Sequence, residues 1–220
     1  MKRVLVVNPN SSKEMTSRID MAARLVAPNG FDLAVCGNPD APEAIEGALD
    51  GALAEKGVIR ILDAAKFEAA LIACFDDTGV DAARGRFSQP VIGIGAAACH
   101  MAALSARRFL VVTPADASVP VLEENLRHAG LDRQCLGVFA AGVRVLDFEE
   151  DRAHAFARVA QVVRERLGEA DAVVLGCAGM TGGAAAMSRA LGVRVIDPVQ
   201  VGVTLACALA QMEQGQQALV

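Results

Sequence analysis

Short apolar runs recur along this chain, and each closes on a cluster of Gly, Pro, Asn, Asp or Ser. Runs of that length between turn formers read as buried strands, while intervening stretches with apolar residues three and four apart read as helices. Arg3 to Val7 is the first run and ends at Asn8-Pro9-Asn10-Ser11-Ser12. Ser11 with Glu14 makes a capping box, and Met15, Ile19, Ala22 and Val26 mark one face of the helix that follows. Phe31 to Val35 is a second strand, then a helical region spans Ile45 to Lys66, interrupted by Gly47, Gly51 and Gly57. A third run, Leu71-Ile72-Ala73, enters Cys74; a short helix near Asp81 to Arg86, a strand from Pro90 to Ile94 and an Ala-rich helix from Ala96 to Ala106 follow.

The same order then begins again. Arg108 to Val112 is a strand ending at Thr113-Pro114, and Val119, Leu122, Leu126 and Ala129 line a helix closed by Gly130. Leu136 to Ala140 is a strand, and Phe156, Val159, Ala160, Val163 and Leu167 are the buried stripe of one helix from Glu149 to Leu167. Val174-Leu175-Gly176 enters Cys177, followed by a helix near Ala184 to Leu191, the strand Val193 to Ile196 and a closing helix. Arg3-to-Pro9 matches Arg108-to-Pro114 at a distance of 105 positions, Cys74 matches Cys177 at 103, and Val91-Ile92-Gly93 matches Val195-Ile196-Asp197 at 104. Three anchors whose distances agree within two residues predict an internal duplication. The expected fold is α/β: two Rossmann-like halves related by a pseudo-twofold axis, each with about four parallel strands flanked by helices. One half is expected to hold residues 1–104 with the closing helix 199–220, the other residues 105–198. Parallel sheets bind ligands beyond the carboxyl ends of their strands, so facing halves would set Cys74 and Cys177 on opposite walls of one cleft.

Composition narrows the choice of partner. The chain is 53% hydrophobic but only 4% aromatic, with no Trp or Tyr and a net charge of −5, so it lacks the basic and stacking surfaces that nucleic acids require. No apolar run reaches membrane-spanning length, and the apolar part of the N-terminus is too short for a signal peptide, so a soluble cytoplasmic protein is expected. The six cysteines are widely spaced without a C-x-x-C pair, which in a reducing compartment predicts free thiols. Cys36, Cys99, Cys135 and Cys207 read as packing residues, and no His/Cys/Asp cluster has zinc spacing, so no metal is expected.

Cys74 and Cys177 read differently. A lone cysteine at a strand end is usually a small core hydrophobe. Two at matching strand ends, each before a turn that can open a helix, point to chemistry. A helix N-terminus would lower the thiol pKa from about 8.5 toward neutrality and make it a usable base.

The blocks Val7-Asn8-Pro9-Asn10-Ser11, Ala44-Ile45-Glu46-Gly47, Ala73-Cys74-Phe75-Asp76-Asp77, Pro90-Val91-Ile92-Gly93-Ile94, Ser118-Val119-Pro120 and Leu175-Gly176-Cys177-Ala178-Gly179-Met180 resemble the hydantoin racemase branch of the aspartate/glutamate racemase superfamily. They span nearly the whole chain. The resemblance implies a two-thiol racemase that needs no cofactor, is a homo-oligomer (tetramer or hexamer), and acts on a 5-monosubstituted hydantoin or on allantoin. Amino-acid racemases would show Cys-Asn-Thr and Gly-Cys-Thr where this chain has Cys74-Phe75-Asp76 and Gly176-Cys177-Ala178. Two departures stand out: Ala96, where the family often carries Glu, and Pro114, where it usually has a second Thr.

The resemblance also implies that Asn10 hydrogen-bonds the substrate ring; as a bare sequence, Asn8-Pro9-Asn10 is equally a turn before a helix cap. Ile45 is expected in the side-chain pocket or in the core, and Thr113, at the pseudo-equivalent of Asn8, is a candidate binding hydroxyl. Phe75, Asp76, Gly176, Ala178 and Gly179 flank the thiols and complete the expected binding set. Asp76 and Asp77 read as helix caps more than as catalytic orienters. Gly93-Ile94-Gly95 with Asp116 about twenty residues on has the outline of a dinucleotide fingerprint, but its partner Asp197-Pro198-Val199 lacks the glycines. The Cys99–His100 pair is set aside because adjacent helical side chains diverge by about 100°. His128 and His154 read as surface residues. Proton removal at one face and return at the other is the reaction that two opposed thiols fit. The competing readings are allantoin or amino-acid racemisation, a one-thiol enzyme of the arylmalonate decarboxylase or maleate isomerase kind, and a ligand-binding module with inert thiols.

Overall fold

The computed structural model describes residues 1–217, with side chains through Met212; residues 218–220 of the expected first half lie outside the described residues. The elements run β1 (Lys2–Asn8), α1 (Lys13–Val26), β2 (Phe31–Gly37), α2 (Ala48–Ala64), β3 (Ala69–Ile72), α3 (Val80–Arg84), β4 (Val91–Gly93) and α4 (Ile94–Ser105). The second series is β5 (Phe109–Thr113), α5 (Val119–His128), β6 (Cys135–Ala140), α6 (Asp147–Glu150), α7 (Arg152–Arg166), β7 (Ala172–Leu175), α8 (Ala184–Leu191), β8 (Arg194–Ile196) and α9 (Pro198–Gln217). Two four-stranded sheets result, ordered β2-β1-β3-β4 and β6-β5-β7-β8, with every pairing parallel. The fold is the expected α/β architecture, and the strand order of one half repeats in the other.

Strand alternation distributes the core. Val4 and Val6 of β1 and Leu71 of β3 join a cluster that also holds Val111, Val112, Leu175 and Phe148 of the second half. Leu5, Val7 and Ile72, on the opposite face, pack with Val58 and Leu62 of α2. The central strands β3 and β7 are buried at every residue, as parallel strands covered on both faces must be. Each Leu, Val or Ile so enclosed contributes about 1.5–3 kcal/mol from its own transfer out of water. Helix α9 leaves the second sheet and crosses back onto β1, β3 and β4. Gly202 permits the close approach, because a Cβ there would lie 2.8 Å from Leu71 Cδ1 and 2.9 Å from Ile94 Cγ2.

Three local expectations need correction. Helix α1 is capped by Ser12, whose hydroxyl accepts from Met15 N–H at 3.0 Å, so the Ser11–Glu14 capping box does not form. The single helix expected from Glu149 to Leu167 is two helices, because Asp151 leaves helical geometry and its side chain caps α7 through His154 N–H. The strand expected to run to Ile94 stops at Gly93, and Ile94 already begins α4. Among the described residues, no helix is long and apolar enough to cross a membrane.

Candidate active site

Both thiols stand two residues beyond the carboxyl ends of central strands, Cys74 after β3 and Cys177 after β7. The backbone carries each strand's ladder one residue further: Ala73 N–H donates to Val7 O at 2.8 Å, and Gly176 N–H donates to Val112 O at 2.7 Å. The turns that follow differ. After Cys74 the chain closes a turn from Asp77 N–H to Cys74 O, with Asp77 in the left-handed region at φ 55°. Helix α3 then starts only at Val80 and lasts five residues. Cys177 opens a single 3₁₀ turn, Ala178–Met180. Neither thiol therefore stands at the start of a full helix, which corrects the expectation from sequence.

The two cysteines line one cavity of about 20 Å³, room for roughly one water. Of the residues expected to bind substrate, Ile45, Phe75, Asp76, Thr113, Gly176 and Ala178 line this cavity as well. Asn10 and Gly179 do not. The Asn10 amide is occupied inside the protein: Oδ1 accepts from Asn8 Nδ2 at 2.7 Å and from Ser12 N–H at 3.0 Å, and Nδ2 faces Met15 Sδ at 3.1 Å. Gly179 serves the thiol instead, its N–H donating to Cys177 Sγ at 3.3 Å. Thr113 turns its hydroxyl to Gly176 O at 3.2 Å. Cross-links between the halves frame the cavity. Glu46 Oε1 accepts from Val145 N–H at 2.6 Å, Asn125 Nδ2 donates to Asp76 O at 3.1 Å, and the Ser12 hydroxyl donates to Glu149 Oε1 at 2.7 Å.

Electrostatics reverses the expected direction of the thiol shifts. Burial, and then the Asp76 charge, push Cys74 well above the ordinary thiol value, while the Thr78 hydroxyl, donating at 3.6 Å, opposes them. Burial pushes Cys177 up to about 12, with the Gly179 N–H opposing and the charges of Asp76 and Glu46 adding to the rise. Desolvation of a thiolate outweighs what one short turn can return. Asp76 is itself pushed up to about 6 by burial, against the Gly47 N–H and the Ser118 hydroxyl that favour its anion. Its Oδ2 is buried and has no hydrogen-bond partner. Gly47 is required beside it: φ is +97°, and a Cβ would lie 2.6 Å from Ala117 O.

The sequence reading missed two supporting groups, Thr78 and Arg152, and left open which helix Asp77 caps. Thr78 follows Cys74 by four positions and carries no motif of its own. Arg152 holds the Cys177 turn from behind, donating to Gly179 O at 3.0 Å and to Thr181 O at 2.5 Å while its guanidinium stacks on Phe156. Asp77, read as a helix cap, accepts from Gly95 N–H at 2.8 Å and Ala96 N–H at 2.7 Å, and so caps α4 from another loop. Burial raises Asp77 to about 7, opposed by those two N–H groups. The fingerprint glycines are explained by the same contact. A Cβ on Gly93 would lie 1.9 Å from Asp77 Oδ1, and one on Gly95 would lie 2.2 Å from Phe75 O and 3.0 Å from Asp77 Oδ1. They make room for a carboxylate of this chain. His128 and His154 are exposed, while Cys99 and Cys207 are buried and Cys36 and Cys135 partly so. Among the described residues no group of three His, Cys, Asp or Glu is placed to hold a metal ion.

The family profile described as Asp/Glu/Hydantoin racemase matches residues 4–206. The chain is 38% identical over 209 residues to the hydantoin racemase of Rhizobium meliloti, covering 93% of this chain and 87% of that protein. It is 36% identical over 210 residues to the hydantoin racemase of Paenarthrobacter aurescens, covering 93% of this chain and 89% of that protein. Among solved structures, the allantoin racemase from Klebsiella pneumoniae superposes with a TM-score of 0.91 at 35% identity, over 97% of this chain and 89% of that one.

Proposed function

The chain belongs to the Asp/Glu/hydantoin racemase family and is an isomerase, and from that premise we propose that it interconverts the D and L forms of 5-monosubstituted hydantoins, with Cys74 and Cys177 as the acid–base pair. The observation that carries this reading is the pair of thiols lining one cavity at matching strand ends. One thiolate takes the C5 proton, the electron pair is held as the enolate of the adjacent ring carbonyl, and the opposite thiol returns a proton to the other face. The first cysteine ends protonated and the second ends as thiolate, so neither metal nor organic cofactor is needed for balance.

Asp76 Oδ2, buried without a partner, is the acceptor we assign to a ring N–H. A bound N–H supplies the partner that this buried oxygen lacks. Ile45, Phe75, Thr113, Gly176 and Ala178 complete the binding surface. The cavity between the thiols is narrow, and the division into residues 1–104 with 199–220 and residues 105–198 is where the two walls would widen for a ring. We place the enzyme in the cytoplasm as a homo-oligomer, a tetramer or hexamer.

Allantoin is the second reading, supported by the likeness to the Klebsiella enzyme; the acid–base pair is the same and the ring substituent becomes a ureido group. The test follows optical rotation of L- and D-5-substituted hydantoins and of allantoin in deuterated water without added cofactor. Decay to zero with deuterium at C5 is expected, and the faster substrate names the activity. Unchanged rotation for every cyclic ureide would sink the proposal.

A further inference from the structure

Two pairs of equivalent positions carry exchanged chemistry. Asp77 corresponds to Thr181 and Gly93 to Asp197, each at a distance of 104 positions. In the first half the carboxylate stands on the loop after the cysteine and reaches forward to the N–H groups of Gly95 and Ala96 in the first turn of α4. In the second half it stands at the end of the strand and reaches back to the loop after the cysteine. Asp197 accepts from Thr181 Oγ1 at 2.8 Å and Gly182 N–H at 2.7 Å, and from Val199 N–H at 3.1 Å and Gln200 N–H at 3.2 Å in the first turn of α9. Each carboxylate thus ties the loop that carries one thiol to the N-terminus of the helix behind the sheet. The exchange is forced in the first half: with Asp77 in place, any side chain at Gly93 would collide with it.

We infer that Asp77 and Asp197 are positioning residues, one for each wall, and that each sets the aim of one thiol without acting on the other. The inference rests on the two-thiol reading above. Neither carboxylate lines the cavity between the thiols, so neither touches the reacting carbon. Their effect passes through the loop backbone: Asp77 N–H is bonded to Cys74 O, and Thr181 N–H to Ala178 O beside Cys177. Bonds from two or more backbone donors to one carboxyl group hold the loop, and with it the thiol, in the alignment that proton transfer requires.

The experiment uses C5-deuterated D and L substrate with Asp77→Asn and Asp197→Asn. Enantiomers have an equilibrium constant of one, so kcat/KM falls equally in both directions, by about tenfold for each variant. The isotope effects are what separate the walls. Slower proton transfer at Cys74 makes that step limiting, so in Asp77→Asn the primary isotope effect rises for the enantiomer that Cys74 deprotonates and falls for its mirror image. Asp197→Asn is expected to show the opposite asymmetry. Equal isotope effects in both variants, or asymmetry of the same sense in both, would overturn the assignment while leaving the two-thiol reading intact. Should either Asn variant fail to fold by circular dichroism, Asp77→Ser, which keeps one acceptor, and Thr181→Val, which removes one donor to Asp197, carry the same expectation. A Cys74→Ser or Cys177→Ser variant that racemises undiminished overturns the two-thiol reading and this inference together.

Discussion

The wall that carries Cys74 and the wall that carries Cys177 share a strand order and a carboxylate clamp, and differ in the groups that hold the thiol itself. Cys74 receives its hydrogen bond from a side chain, Thr78, and Cys177 from a backbone N–H, Gly179. The loop after Cys74 relies on Asp77, in a left-handed conformation, while the loop after Cys177 is gripped by Arg152 from one side and Asp197 from the other. Repeating a strand order determines where a residue emerges from the sheet. How its loop is then stabilised is a separate problem, and two different arrangements of donors, each around one carboxylate, deliver thiols to one cavity. The proposed reaction asks for that mixture, since its two proton transfers are mirror images in geometry and need not be equal in strength.

The largest effect that would break the comparison comes from the thiols themselves. Cys74→Ser and Cys177→Ser should each lower racemisation by about 10²–10⁴-fold, the usual worth of a positioned acid or base; polarimetry on each variant checks it, and one indifferent cysteine would end any equivalence between the walls. Next come substitutions that disturb the carboxylate clamps. Gly93→Ala sets a methyl against Asp77 and should destabilise the fold by about 1–3 kcal/mol, and Thr181→Val by about 1.5–3 kcal/mol through loss of a bond to a charged group, both read as lower urea midpoints.

The third change acts on both walls at once. Because both thiols are raised, kcat/KM of the wild type should climb with pH through neutrality, close to tenfold per pH unit while the base is mostly protonated. Asp76→Asn removes a negative charge that raises both thiols, so this alkaline rise should move to lower pH while KM increases from loss of the ring acceptor. A pH–rate profile that stays in place would show that Asp76 does not govern thiol ionisation. The smallest effect is confined to one wall. Thr78→Val should raise Cys74 a little further, by less than about one pH unit, and leave Cys177 unmoved. Alkylation of the two cysteines followed by mass spectrometry across pH would read them separately.

The strands and the opposed thiols were legible because their signals are dense: unbroken apolar runs, and three matches between the halves whose spacings agree within two residues. What escaped was set by partners remote in sequence or by burial. Adjacent Ser11 and Ser12 offer the same cap chemistry, and only the path of the chain after Asn10 decides for Ser12. Asp77 read as a helix cap, and only the fold shows that the helix is α4, with donors eighteen and nineteen residues on. The thiol shifts were misjudged in sign because a helix terminus can be guessed from turn residues, whereas the degree of desolvation is a property of the assembled cavity. The glycines of the apparent dinucleotide fingerprint were seen, but not the carboxylate that they accommodate.

Helix α9 has a consequence for synthesis. It follows the whole second sheet in the chain yet lies against the first, on β1, β3 and β4. During translation, residues 105–198 can pair their strands as they emerge from the ribosome, while the earlier-made first sheet still waits for a cover that has not been polymerised. Leu71 and Ile94, which meet α9 at Gly202, would stay wet until then. The part made first is thus the part finished last, and a nascent chain stalled before residue 198 would display that apolar face to chaperones.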